Sequence, residues 1–153
     1  MNRKSVALFA IALGLGAASV IAVAASPAST IAARQANFKV MGKSFKGIVD
    51  QMKAPSADFA MIQANADTLA KAASKVHGFF PKGTGPEAGV KTQALPAIWA
   101  KPAEFKLALA KLAEGTKAMH KAAKTNDIGA VKAAFPGVGG ACKNCHDQFK
   151  AKD

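Results

Sequence analysis

The C-terminal segment of the chain carries apolar side chains at alternating spacings of three and four residues. The series is Ile128, Val131, Phe135, Val138, Cys142, Cys145 and Phe149. This spacing places every member on one face of an α-helix. The only two cysteines of the chain therefore share a face with residues expected in the core. Pro136-Gly137 and Gly139-Gly140 predict a kink or a short break in this helix.

Three earlier segments show the same helical spacing. They cover residues 30–53, residues 56–80 with Ser56 as the N-cap, and residues 97–124. Residues 81–96 are rich in Gly and Pro and predict a long loop. Among the inner-face residues are Ile31, Met41, Ile48, Ile62, Leu69, Leu112 and Met119. The pattern predicts an all-α fold, an antiparallel left-handed four-helix bundle.

Residues 1–25 are typical of a secretory signal peptide. Arg3 and Lys4 form a positive start, and an uncharged, mostly apolar run continues to Ala25. Small residues before the expected cleavage point leave residues 26–153 as one domain. An uncleaved membrane anchor is the alternative, because a run of about 20 residues can span a bilayer. Either way the domain is expected outside the cytoplasm, and a leader of bacterial type predicts the periplasm.

The two cysteines belong to the sequence Cys142-Lys143-Asn144-Cys145-His146. This C-x-x-C-H spacing is typical of c-type haem attachment. Positions three apart share a helix face, so both thiols can form thioethers to the vinyl groups of one porphyrin. His146 follows directly and can place an imidazole nitrogen under the iron as axial ligand. The motif therefore predicts one covalently bound haem c.

Three other uses of a Cys-x-x-Cys pair stay open. A redox dithiol is typical of a βαβ setting, and the chain shows no strand pattern. A closed zinc site needs four ligands, which only His77 and His120 could complete. A disulfide between residues three apart would close a small loop with little entropic effect. Both histidines are more simply interpreted as structural or solvated, with His77 placed to bond carbonyls at a helix end.

The chain is strongly basic. Its formal charge is +12, which becomes +10 once residues 1–25, with Arg3 and Lys4, are removed. A basic surface favours acidic partner proteins or anionic headgroups, although lysines also simply solvate exposed helix faces. Basic and aromatic residues are not interleaved as in nucleic-acid-binding proteins, so no nucleic-acid partner is expected.

The chain resembles the class II c-type cytochromes, in particular the cytochrome c′ family. The resemblance covers the whole region after the leader and includes the position of the C-x-x-C-H motif at the C-terminal end. It rests further on Arg34-Gln35 with Phe38, Ala97-Ile98-Trp99, Lys117-Ala118-Met119-His120, and the Asp that follows His146.

The resemblance implies a role for several positions. His146 would be the proximal iron ligand, and Arg34 and Gln35 would contact the haem propionates. A guanidinium suits a carboxylate because it can donate two parallel hydrogen bonds. In the loop, Thr92 and Gln93 fall near positions that touch the haem in relatives.

Phe38 stands where family members place the residue over the distal face of the iron. A phenyl ring cannot ligate iron, so this position implies a five-coordinate, high-spin iron in a dry, crowded pocket. Low-spin relatives carry Met there. Met41 lies nearly on the same helix face; core packing is expected of it, and iron ligation is the alternative. Phe105 is expected to pack in the core near the haem.

Three positions depart from the family pattern. Lys150 stands where Arg is common, four residues after His146, and can approach the imidazole without a planar fork. Phe149 stands where Tyr is common, which removes a hydroxyl. Pro136 is unusual for this helix. Histidine basicity and access to the proximal side are expected to differ accordingly.

The resemblance implies a binding and carrier protein of the periplasm. It would bind nitric oxide and carbon monoxide, discriminate against dioxygen, transfer electrons and form a homodimer. The alternative is a low-spin electron shuttle with Met41 as sixth ligand, docking an acidic redox partner through its lysines. No His and Arg pair is placed for peroxidase chemistry, so no enzymatic activity is expected.

Overall fold

The computed structural model describes residues 25–152, and α-helices make up most of this range. The helices are α1 (Pro27–Lys53), α2 (Phe59–Lys75), α3 (Ala97–Ala100), α4 (Pro102–Ala123) and α5 (Ile128–Phe149). Two short 3₁₀ turns lie between α2 and α3, at Val76–Phe79 and Pro86–Ala88. The four long helices form the bundle, which confirms the predicted all-α, antiparallel four-helix architecture.

The first two helices begin where side chains cap them. Ser26 Oγ accepts a hydrogen bond from the Ser29 amide at 3.1 Å, so α1 begins at Pro27 rather than at residue 30. The predicted N-cap at Ser56 was wrong. Asp58 caps α2 instead, because its carboxylate accepts from the Met61 amide at 3.0 Å. A carboxylate at this point also favours the positive end of the helix dipole.

The third predicted helix is divided in two. The single turn α3 ends at Ala100, and the next residue, Lys101, has a φ of −126° and a ψ of 59°, which lie outside the helical region. Pro102 begins α4, and a proline disfavours helical geometry in the residue before it. The prediction of one continuous helix over residues 97–124 was therefore wrong at this junction.

α5 continues through Pro136. Of the predicted kink or short break, the break was therefore wrong, and the kink stays a prediction. Pro136 lacks the N–H that would bond the Lys132 carbonyl. Both residues are exposed, so water can reach that carbonyl in place of the missing amide. A proline on the solvent face thus leaves the helix continuous up to the cysteines.

The core follows the predicted inner faces. Ile31, Ile48, Ile62, Leu69, Met119, Val131 and Val138 are all buried. The helices α4 and α5 approach closely where Gly115 meets Gly137. A Cβ on Gly115 would lie 2.8 Å from the Gly137 carbonyl oxygen, so no larger residue fits there without movement.

The signal-peptide prediction falls on residues 1–25, of which residues 1–24 lie outside the described range. Within residues 25–152, none of the helices combines the length and the hydropathy that a bilayer crossing requires.

Candidate haem site

A cavity of about 720 Å³ opens between α1, α5 and the loop that joins α2 to α3. We call residues 80–96 the connecting loop. α1 and α5 make few direct contacts, because the cavity separates them over much of their length. Every predicted site residue lines this space: Arg34, Gln35, Phe38, Thr92, Gln93, Cys142, Cys145 and His146.

α5 brings the C-x-x-C-H residues to one wall. Cys142 and Cys145 are half-buried one turn apart, and His146 lies one turn beyond Cys142 at the exposed rim. Burial raises the pKa of Cys142, and burial together with the neighbouring thiolate raises the pKa of Cys145 to about 11. A redox-active cysteine has a lowered pKa, so the structure does not favour a redox dithiol.

The pKa of His146 shifts in the opposite direction. Partial burial lowers it, and the positive charge of Lys150 lowers it further. The neutral imidazole, the form that binds metals, is thereby favoured. Lys150 does lie close enough to act on the imidazole electrostatically, as its place four residues after His146 predicted.

The described residues offer no metal site of the closed kind. Among residues 25–152, no three His, Cys, Asp or Glu side chains are close enough to hold an ion together. His120 lies 3.8 Å from Asp67, and His77 Nδ1 lies 3.0 Å from the Ser74 carbonyl oxygen at the end of α2. The zinc alternative thus loses both of its candidate ligands.

The inner wall of the cavity is aromatic and aliphatic. Phe80 packs edge-on against Phe38 and Phe105, with ring centroids 6.4 and 4.9 Å apart. Phe105 in turn packs edge-on against Phe149 at 5.1 Å. Phe105 is buried beside the cavity, as predicted.

Sequence reasoning missed Phe80 as a pocket residue. Its place at the end of the apolar series of α2, directly before the connecting loop, was the available signal. Met41 also lines the cavity and is 6% exposed, so the structure permits both of its predicted roles.

Arg34 lies at the opposite end of the α1 wall from Phe45 and is 3% exposed. It donates to the carbonyl oxygens of Phe79 and Thr84 at 3.2 and 2.9 Å. It also donates to the hydroxyls of Thr84 and Thr92 at 3.3 and 2.8 Å. Burial lowers its pKa. Arg34 is therefore not a surface arginine.

Charge at the cavity is of one sign. Arg34, Lys39, Lys91 and Lys150 line it, and no carboxylate of the described residues does. Lys39 and Lys91 are exposed at the rim. Such a rim suits an anionic group such as a pair of propionates.

The residues present fit a haem. The volume lies in the range of about 300–1,000 Å³ typical of ligand pockets. Apolar walls suit a macrocycle, two thiols and an imidazole line the same wall, and cations surround the mouth. Lining side chains from α2 to α4 (Leu69, Ile98, Phe105, Leu109 and Leu112) complete the apolar surface.

Comparison with known proteins decides the family. The family model for cytochrome c′ matches residues 29–150. The chain belongs to the cytochrome c′ family. The cytochrome c′ of Rubrivivax gelatinosus is 38% identical over 127 residues, which are 82% of this chain and 97% of the relative. Membership implies haem c as the cofactor, in agreement with the cavity.

Solved structures of cytochrome c′ share the bundle. The nitric oxide complex of a single-residue mutant of cytochrome c′ from Alcaligenes xylosoxidans has a TM-score of 0.75 at 30% identity, over 84% of this chain and 98% of that one. Another cytochrome c′, described as having an unusual ligand-controlled dimer dissociation, has a TM-score of 0.79 at 28% identity, over 85% of this chain and all of that one.

Proposed function

We propose that the chain is a periplasmic haem carrier that binds nitric oxide and carbon monoxide and transfers single electrons. Residues 1–25 would serve as its signal peptide. The observation that carries the proposal is that the C-x-x-C-H residues of α5 and Phe38 of α1 line one apolar cavity. When bound, the haem supplies an iron with one coordination position open to a diatomic gas and with one-electron chemistry.

The α5 residues hold the cofactor. Cys142 and Cys145 would form its two thioethers, and His146 would ligate the iron. Partial burial and the charge of Lys150 lower the pKa of His146, which favours the neutral imidazole that a metal binds. One C-x-x-C-H motif accounts for one haem c.

The α1 residues would limit the access of gases to the face of the haem that His146 does not occupy. Phe38, Met41 and Phe45 carry no N–H or O–H donor, and Arg34 and Gln35 already donate to the connecting loop. Bound dioxygen depends on a distal donor for stabilisation far more than nitric oxide does, so this wall favours nitric oxide and carbon monoxide. The α1 wall carries no His and Arg pair, which is the reason for expecting no peroxidase turnover.

The polar end of the cavity receives the propionates. Arg34 keeps its Nε–H outside the four bonds to the loop and neighbouring turn, and its charge faces a cavity without carboxylates. Gln35, Thr92 and Gln93 line the same end. We expect these residues to orient the macrocycle rather than to act on the gas.

Relatives support the binding and assembly parts of the proposal. A relative's mutant has been solved as its nitric oxide complex, and another relative has a ligand-controlled dimer. A homodimer is accordingly expected here. The redox partner would be acidic, because the rim of the cavity carries Lys39, Lys91 and Lys150.

The alternative is a low-spin electron shuttle in which Met41 is the sixth ligand. Its placement on the cavity wall is the specific observation in favour. Asn37 Nδ2 donates a weak hydrogen bond to the Met41 sulfur at 3.7 Å, and Met41 would have to give up this contact if the same lone pair bound iron. We therefore favour the five-coordinate state.

Visible absorption spectra of the haem-loaded protein test the proposal. The ferrous protein should show a broad high-spin Soret band that shifts strongly with carbon monoxide, and Met41→Leu should leave both spectra unchanged. Sharp, split low-spin bands that ignore carbon monoxide, and that become high-spin in Met41→Leu, would establish the shuttle instead. Absence of haem bands from a host competent in haem attachment would refute both.

A further inference from the structure

The connecting loop joins the two walls of the cavity. At its beginning and middle it is bonded to α1, through Arg34 and through Gln35, whose Nε2 donates to the Lys91 carbonyl at 2.9 Å. At its end it is bonded to the end of α5. The Leu95 amide donates to the Phe149 carbonyl at 3.0 Å, and the Ala151 amide donates to the Gln93 carbonyl at 2.8 Å.

Thr92 connects the two sets of bonds. Its hydroxyl oxygen accepts from Arg34 Nη2 at 2.8 Å and from the Ala94 amide at 3.2 Å. Ala94 is paired with Lys150 in an antiparallel β-bridge. A short series of hydrogen bonds therefore connects the Arg34 guanidinium on α1 to Lys150, the residue directly after α5.

Arg34 is built to hold a loop. All four bonds go to uncharged oxygens, and no carboxylate pairs with it among the described residues. Its guanidinium carbon also lies 4.7 Å from the centroid of the Phe80 ring. The planar fork reaches the Phe79, Thr84 and Thr92 oxygens at once, which a lysine ammonium on its single flexible stem would not do.

The bonds at the other end act on the helix of His146. The last carbonyls of a helix lack partners within the helix, and its last turn frays unless they find others. Leu95 of the connecting loop supplies a donor to the Phe149 carbonyl, and the C-cap residue Lys150 donates its amide to the His146 carbonyl at 3.2 Å. The last turn of α5, which carries the imidazole, is thus tied to the loop at Phe149.

We propose that Arg34 is a positioning residue for His146, acting through Thr92 and the bridge of the connecting loop to the end of α5. Through these contacts, α1 sets the orientation of the His146 imidazole. This inference rests on the proposed function only in making His146 the iron ligand. It differs from a propionate contact, because the four bonds to the loop and its neighbouring turn come from Nη1 and Nη2, whereas a propionate would meet the remaining Nε–H and the charge of Arg34.

Two variants separate the fork from the charge. Arg34→Lys keeps the charge and loses the fork, and Thr92→Val removes the shared acceptor without altering charge. Thr68→Val is the matched control, because the Thr68 hydroxyl is exposed and bonds only within α2, to the Ala64 carbonyl at 2.8 Å.

Hydrogen exchange and resonance Raman spectroscopy of the haem-loaded protein provide the two readouts. In Arg34→Lys and Thr92→Val, the Leu95 and Ala151 amides should exchange about tenfold faster or more, as expected for local opening. The iron–histidine stretching band of the ferrous protein should shift or broaden in both. Thr68→Val should change neither readout.

Unchanged exchange in Arg34→Lys would show that charge alone suffices and would overturn the inference. Faster exchange with an unmoved iron–histidine band would overturn it as well, since the loop would then be held without positioning the imidazole. Should Arg34→Lys not fold, Thr92→Val decides. If the wild-type protein proves low-spin, the proposed five-coordination fails, and the EPR g-values of the ferric protein report the imidazole orientation in the same variants.

Discussion

α5 meets its two neighbours in opposite ways. Against α4 it packs backbone to backbone at Gly137, where even a Cβ on Gly115 would lie 2.8 Å from the carbonyl oxygen. Against α1 it makes few contacts, and the cavity with its aromatic wall lies between them. One helix therefore uses glycine to close one interface and leaves the other open for a cofactor. The tight interface fixes the helix from which the cysteines project.

The largest effect is expected at the open interface. Replacing both Cys142 and Cys145 by Ser should abolish covalent haem, because no other cysteine exists in the chain. Haem staining after denaturing electrophoresis measures this, and each single variant should retain one thioether and some stain. Stain surviving in the double variant would contradict the assignment of the two cysteines.

Phe38→Ala should open the distal wall. On our proposal the ring crowds the open position of the iron, so without it carbon monoxide should associate about tenfold faster or more, equivalent to a barrier lower by about 1.4 kcal/mol. Stopped-flow mixing measures the rate. Phe59→Ala, in a helix of the same bundle but away from the cavity, is the control, and its association rate should stay at the wild-type value.

Substitutions at the close contact between α4 and α5 should change only the stability of the fold. Gly115→Ala should lower the free energy of unfolding by about 1–3 kcal/mol, the usual cost of overpacking. Gly140→Ala in α5 should raise it by up to about 1 kcal/mol, because an added Cβ there meets no atom within 4 Å. Chemical denaturation measures both. Equal effects of the two substitutions would show that the α4–α5 contact is not close.

The smallest effect is expected on the surface of α2. A hydrogen bond from Lys71 lowers the pKa of Asp67, and the charges of Lys71, His120 and Lys124 lower it further. A lowered folded-state pKa stabilises the fold above the unfolded-state pKa, and this stabilisation is lost as the pH falls through the folded-state value. Asp67→Asn should therefore reduce Tm slightly at pH 7, and the reduction should vanish once the pH lies below the folded-state pKa of Asp67, where the carboxyl is protonated in both the folded and the unfolded chain.

Glu114→Gln is the control for this substitution, since it removes one exposed negative charge from the neighbouring helix. It changes net charge equally without touching Asp67. A Tm decrease for Asp67→Asn that persists unchanged in acid would contradict the pKa assignment.

Helical spacing predicted the fold well because the apolar residues that recur on one face of a helix are those that the bundle buries. In the α5 series, Val131, Val138 and Phe149 are buried as expected. Boundaries were less predictable, since Ser56 and Asp58 are both good caps and only local hydrogen bonding selects Asp58. The break expected at Pro136 did not form, because this proline lies on the exposed side of the helix, where water can reach the carbonyl that lacks its amide partner.

The candidate site was predictable wherever chemistry requires particular residues at a particular spacing. The C-x-x-C-H motif is such a case, and the residues near it in space followed from the family resemblance. The hydrogen bonds of Arg34 to Thr84 and Thr92 could not be predicted, because the sequence separations are long and the loop has no periodicity. Long-range polar contacts depend on the path of the loop, which only the folded chain defines.

A crystal structure of the haem-loaded ferric protein would locate the cofactor directly. We expect the macrocycle between α1 and α5, bonded to Cys142 and Cys145, with His146 on the iron and Phe38 as the nearest side chain on the opposite face. A Met41 sulfur bonded to the iron, or a haem outside this cavity, would contradict this expectation.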